Sequence, residues 1–211
     1  MTQTDSTILP SENKPAENAE ANFLFPVFLK LEILSLLIVG GGYVGFEKLN
    51  AVLQNSPKAT IKLVALSISE EVKSLAKDFS NVQLVEKKYE AIDIDGCDLV
   101  IAGLNDKTVS AQVQQDAKQK GKLVNVADQP ELCDFYLSSV VQKGNLKIAI
   151  STNGKSPTIA KRLKEFLNET IPFELNTLLD NMQSIRNKIK GDFTEKVKQL
   201  NEITKKLSED K

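Results

Sequence analysis

The stretch that most limits what this chain can fold into is Leu34–Gly45, LSLLIVGGGYVG. A short apolar run from Leu34 to Val39 is followed by three glycines, then by residues that read as the start of a helix. Gly40, Gly42 and Gly45 fall on the spacing G-x-G-x-x-G. Each has its own reason to lack a side chain. Gly40 permits the tight strand-to-helix turn, Gly42 lets the backbone approach a pyrophosphate, and Gly45 lets the helix pack on the strand. The N–H groups at the helix start then face the phosphates. A glycine-rich turn without a ligand has the same bare pattern. The setting between a strand and a helix is what points to dinucleotide binding.

The chain continues in the same rhythm. Val44, Leu49, Val52 and Leu53 keep one helical face apolar until Asn55-Ser56-Pro57 ends the helix. Strands are expected at Thr60–Leu66, Val82–Val85, Asp98–Gly103 and Lys122–Ala127. Helices between them are capped by Ser69 and Asp106, the second reaching Gln119 before Gly121. This alternation predicts an α/β fold, a Rossmann-like doubly wound parallel sheet. Ahead of it, Phe23–Leu31 reads as an extended segment, with Pro26 marking an edge, able to pair with Leu34–Val39. The rhythm then breaks. Phe135–Val141 and Leu146–Ser151 read as a hairpin turning at Lys143-Gly144-Asn145. Ser156-Pro157 opens a helix whose apolar face is Ile159, Leu163, Phe166 and Leu167, and which Pro172 ends. Two more helices are expected at about 173–190 and 192–208, divided at Gly191. Four regions result: a polar, disordered tail at 1–21, a nucleotide-binding domain at 22–113, a dimerisation and active-site region at 114–151, and a C-terminal helical region at 152–211. A projecting hairpin leaves strand edges that a second copy would hide, so a homodimer is expected.

Composition removes several kinds of chemistry. The chain has no histidine, which excludes Ser-His-Asp and Cys-His catalysis and imidazole metal ligands. Cys97 and Cys133 read as two reduced thiols, as in a cytoplasmic protein. A net charge of −1 carries no nucleic-acid footprint. No apolar run reaches the roughly 20 residues of a membrane span, and no secretory leader is visible.

Five segments taken together carry a family resemblance. They are Phe25-Pro26-Val27-Phe28-Leu29, the triple glycine, Val124–Asp128, Leu132–Phe135 and Ile150–Pro157, in that order. Over about residues 23–170 the chain resembles the precorrin-2 dehydrogenase and sirohydrochlorin ferrochelatase family, in its stand-alone form without a fused methyltransferase domain. The resemblance implies oxidation of precorrin-2 to sirohydrochlorin with NAD, and in many members insertion of Fe2+ as a second substrate. It places nucleotide contacts at Tyr43 and Val44, beside Gly40, Gly42 and Gly45, and at Leu66 and Ser67. Gly103 and Asn105, at the end of the fourth strand, should line the same crevice. The second strand ends without the acid that often holds the ribose hydroxyls, and no Arg stands there for a 2′-phosphate. Asp128 matches the family's aspartate implicated in both reactions. On the residues alone it reads at least as well as part of an Asp-Gln-Pro turn. Asp134 is expected to be structural. The turn of Thr152, Asn153, Gly154, Lys155 and Ser156 before a helix start suits a substrate rich in carboxylates, though a plain helix cap explains it equally well. Lys143, Lys161 and Arg162 are candidate carboxylate partners or simply solvated. The competing function is a non-catalytic module that senses NAD, which would need the glycine turn but neither Asp128 nor the Ser151–Pro157 turn.

Overall fold

The computed structural model describes residues 22–172, 175–189 and 193–204. The tail expected at 1–21, Gly191 and the end of the last helix past Thr204 lie outside these residues. Five strands alternate with helices: β1 (Ser35–Val39), α1 (Tyr43–Asn55), β2 (Thr60–Ala65), α2 (Glu70–Ala76), β3 (Val82–Glu86), β4 (Leu99–Ala102), α3 (Lys107–Gln119) and β5 (Leu123–Val126). A hairpin of β6 (Ser139–Lys143) and β7 (Leu146–Ile150) follows, then α4 (Pro157–Thr170), α5 (Leu175–Lys188) and α6 (Phe193–Thr204).

The sheet has the order β3-β2-β1-β4-β5, with every pair parallel. The chain runs outward from β1 to β3 and then returns across β1 to β4. A crevice opens where the direction reverses, at the carboxyl ends of β1 and β4. Successive strand residues face opposite sides. Leu36, Ile38, Ile61, Leu63 and Ile101 therefore pack with Leu49, Leu53 and Val72 of α1 and α2. Leu37, Val39, Val64, Val100 and Val124 pack on the other side with Ile94 and with Val113 and Ala117 of α3. Burial on both faces explains why these strands read as unbroken apolar runs. Each fully buried Leu or Ile contributes about 1.5–3 kcal/mol.

Three expectations are corrected. Phe23–Leu31 forms no strand, because β1 is central and already bonded on both sides by β2 and β4. β1 has no free edge for it to join, and Phe23 and Phe25 stay 90% and 86% exposed. The hairpin begins at Ser139 rather than Phe135, because the residues before it are bonded to β5: Asp134 N–H donates to Val124 O at 2.8 Å and Asn125 Nδ2 to Phe135 O at 2.8 Å. Finally, a boundary at 113 falls inside α3, and β5 beyond it is the fifth strand of the same sheet.

The hairpin turns at Gly144, with φ 55°, and pairs Lys143 with Leu146. α5 holds that turn: Asn145 N–H donates to Asn176 Oδ1 at 2.9 Å, and a side chain at Gly144 would overlap Asn176. A cavity of about 210 Å³ lies between the 27–31 segment, the end of α1, the 135–138 segment and the hairpin. Among the described residues no helix is long and apolar enough to cross a membrane.

Candidate functional site

The glycine turn is built from backbone packed on backbone. Gly40 has φ 124°, and a Cβ there would overlap the Gly103 carbonyl. A Cβ on Gly45 would overlap the Gly40 carbonyl. One on Gly103 would press the Gly45 backbone at 3.2 Å. These three glycines lock β1, α1 and β4 together. Gly42 differs: nothing lies within 4 Å of where its Cβ would stand, and its φ of −88° suits any residue. Its lack of a side chain keeps open space in front of α1, a cradle that a Cβ would intrude upon. Gly41, given no separate role in the sequence reading, would meet Ser67 O at 2.6 Å with a Cβ, and its own carbonyl accepts from Ser69 N–H at 2.8 Å. The only sequence signal for it was its place between two motif glycines.

The N-terminus of α1 is left open. Gly42 is its N-cap, no side chain caps it, and its first turn carries no acid. By contrast α2, α3 and α4 are capped by Ser69, Asp106 and Ser156. An uncapped helix start with its positive dipole end facing open space suits a phosphate group. The residues therefore fit a dinucleotide's pyrophosphate.

Hydrogen bonds past the strand ends bring the other expected residues to this edge. Gly40 N–H donates to Val64 O, Gly103 N–H to Val39 O and Ala127 N–H to Ala102 O, at 2.9, 2.8 and 2.9 Å. Leu66 and Ser67 follow β2, exposed beside the turn, and Tyr43 opens α1, 80% exposed. Asn105 is exposed after β4, one residue before the cap of α3. Asp128, next to Ala127, is exposed and has φ 59°. That left-handed conformation is uncommon for a residue with a side chain, and Asp is among those that tolerate it.

Thr152–Ser156 belongs instead to the start of α4, which packs on β6 and β7. Its hydroxyls serve the turn itself. Ser156 N–H donates to Thr152 Oγ1 at 3.2 Å, Thr152 Oγ1 donates to Ser156 O at 3.1 Å, and Ile159 N–H donates to Ser156 Oγ at 3.2 Å. Asn153 and Gly154 supply the positive φ values of 53° and 73°. Asp134 is structural as expected: its carboxylate accepts from Val124 N–H at 3.0 Å and pairs with Lys118. Among the described residues no group of three or more Cys, Asp or Glu is arranged to hold a metal ion.

Known proteins resemble the chain in the same two parts. A family model described as putative NAD(P)-binding matches residues 27–139, and one described as sirohaem biosynthesis protein central matches residues 143–170. A siroheme synthase of Methylococcus capsulatus is 36% identical over 165 residues, covering 78% of this chain and 34% of that protein. A siroheme synthase of Psychrobacter cryohalolentis is 38% identical over 148 residues, covering 70% and 28%. This chain thus spans about a third of the length of such relatives. A solved structure named SirC, precorrin-2 dehydrogenase, superposes with a TM-score of 0.69 at 26% identity, covering 88% of this chain and 93% of that one. Since the first model reaches over more than half of the 211 residues, this chain belongs to the putative NAD(P)-binding family.

Proposed function

We propose that this chain oxidises precorrin-2 to sirohydrochlorin, with NAD as the hydride acceptor. The observation that carries the reading is the juxtaposition at one sheet edge of an open, uncapped α1 N-terminus and the exposed carboxylate of Asp128. The resemblance to siroheme synthases and to a precorrin-2 dehydrogenase supplies the substrate.

The first-turn N–H groups of α1, at Tyr43, Val44 and Gly45, bind the pyrophosphate, and Gly42 allows its close approach. Ser67 and the backbone after β2 take the ribose. The nicotinamide, when bound, accepts the hydride. Asp128 accepts the proton that leaves the tetrapyrrole in the same oxidation, the general-base task that falls to a carboxylate in a chain without histidine. Asn153, Gly154 and Lys155 face the substrate's carboxylates in this reading. Fe2+ is a second substrate: its insertion into sirohydrochlorin releases two pyrrole protons, and Asp128 is placed to take one.

A homodimer is part of the proposal. Ile159, Leu163 and Phe166 lie on one face of α4 at helical spacing, 53%, 43% and 59% exposed. A second copy covering them, with Phe25 and Phe28 of the leading segment, would remove a large apolar surface from water. A cytoplasmic setting belongs to the same reading, supported by two free thiols.

The test is turnover. Purified protein with precorrin-2 and NAD should yield the absorbance of sirohydrochlorin. Absence of product while NAD binds overturns the dehydrogenase and favours an NAD-sensing module. Asp128→Ala should lower kcat about 100-fold or more with NAD affinity unchanged. Iron uptake by sirohydrochlorin without NAD decides the second activity.

A further inference from the structure

The Asp128 turn is clamped from below by a thiol. After a short 3₁₀ turn at Pro130–Leu132 the chain doubles back along β5. Asp134 bonds to Val124 through both its backbone and its carboxylate, at 2.8 and 3.0 Å. That return places Cys133 beneath residues 126–129. Its Sγ accepts from Val126 N–H at 3.2 Å and stands 3.2 Å from Val126 O and 3.4 Å from Gln129 O. A thiol has one proton, so it donates to one of these carbonyls at a time. Asn125, buried on β5, directs its Nδ2 to Cys133 Sγ at 3.5 Å and to Phe135 O at 2.8 Å. The thiol therefore ties the residues on both sides of Ala127-Asp128, while Ala127 N–H is itself fixed to β4. Burial pushes the Cys133 thiol up from its ordinary value, which keeps it in the protonated, donating form at neutral pH.

We propose that Cys133, steadied by Asn125, is a positioning residue that holds Asp128 in its left-handed conformation and so aims the carboxylate at the crevice. The proposal rests on the reading of Asp128 as the base. Asp tolerates a positive φ better than most residues, so a modest bias from its surroundings holds it there, here the Gln129 N–H to Val126 O bond at 3.4 Å and the thiol beneath it. With the clamp gone, the turn can relax toward an ordinary φ and carry the carboxylate away from the β4–β5 edge.

The experiment joins a backbone readout to kinetics. In the wild type Asp128 should give the strong intraresidue HN–Hα NOE of a positive φ. Cys133→Ala, and Cys133→Val, which fills the volume without hydrogen bonds, should lose it. Cys133→Ser, which keeps a donor and an acceptor, should restore it. In step with the NOE, kcat for precorrin-2 oxidation should fall about 10- to 100-fold in the Ala and Val variants at unchanged NAD affinity, and recover in Ser. Cys133→Ala added to Asp128→Asn should slow the enzyme no further, because the thiol acts through that carboxylate. The proposal is overturned if either apolar variant that folds keeps the NOE and the wild-type kcat, or if losses in the double variant add. If the wild type does not turn over precorrin-2, the proposed function fails, and the NOE still decides whether the clamp exists.

Discussion

Two helices in this molecule start from small-residue turns, and only one start is open. α1 begins at Gly42 with no capping side chain, and α4 begins at Ser156 with its hydroxyl on Ile159 N–H. Both read as anion sites in the sequence, because each sets a glycine-containing turn before a helical run. The α4 turn spends its hydroxyls on its own backbone through Thr152 and Ser156. The α1 turn spends its glycines on packing against β4, at Gly40 and Gly45, and leaves clear space at Gly42. A helix start that the chain does not satisfy is one that an outside group can satisfy. The comparison teaches that a glycine motif divides into positions the fold requires and positions the ligand requires.

The largest effect should come from breaking the fold-required part. Gly45→Ala drives a methyl into the Gly40 carbonyl, backbone against backbone, with no flexible side chain to give way. Urea unfolding should show a loss of about 3 kcal/mol, the upper range for overpacking. Dinucleotide affinity should fall with it because the turn is displaced. Gly42→Ala is the matched contrast. Its Cβ meets nothing in the protein, so stability should stay within about 1 kcal/mol of wild type. NAD affinity by titration calorimetry should nevertheless drop about tenfold or more, since the added methyl occupies the phosphate's approach. Equal behaviour of the two variants would erase the distinction.

Ser156→Ala sharpens the other side. Removing the hydroxyl that accepts from Ile159 N–H should cost about 1 kcal/mol by thermal or urea unfolding. NAD affinity should not change. If the proposed substrate contact lies at Asn153–Lys155, KM for precorrin-2 should rise while kcat holds, an outcome that pure capping would not produce.

How far the sequence could be read follows from the same division. The β1–α1 turn, the caps at Ser69, Asp106 and Ser156, and the Gly144 turn were legible because local chemistry decides them. The fate of Phe23–Leu31 was not, because it depends on β1 being central, and strand order is a property of the whole sheet. The apolar stripe of α4 was legible as a stripe, yet Ile159 and Phe166 are exposed, since periodicity gives a face and not what covers it. The Cys133 clamp was invisible for a related reason. It joins residues seven apart across a 3₁₀ turn, and only the return along β5 brings them together. The Asn within the apolar run Lys122–Ala127 was the available signal, a buried amide that needs partners.

A third helix start is more tightly closed than α4, and its titration, confined to acid, has the smallest effect near neutral pH. At the 3₁₀ turn Ala91–Ile94, Glu90 and Asp93 form a reciprocal capping box, and Asp93 accepts from Glu90 N–H at 3.0 Å. Asp93 is 2% exposed and also meets Lys62 Nζ at 2.8 Å and Lys87 Nζ at 2.9 Å. Burial alone would raise its carboxyl, but the hydrogen bonds from Lys62, Lys87 and Glu90 outweigh it and hold the group below its ordinary value. A depressed native pKa means that the folded state binds a proton less readily than the unfolded chain. The stabilisation is therefore complete above the unfolded value of about 3.9 and is lost as pH falls through the lower native one. Urea midpoints should be insensitive to Asp93 titration from pH 5 to 8 and should fall steeply below about pH 4. Asp93→Asn should flatten that acid limb, whereas Ser156→Ala, which removes no ionisable group, should leave its slope as in wild type. An acid limb that survives Asp93→Asn unchanged would place the titration elsewhere and leave this helix start no more closed than the one at Ser156.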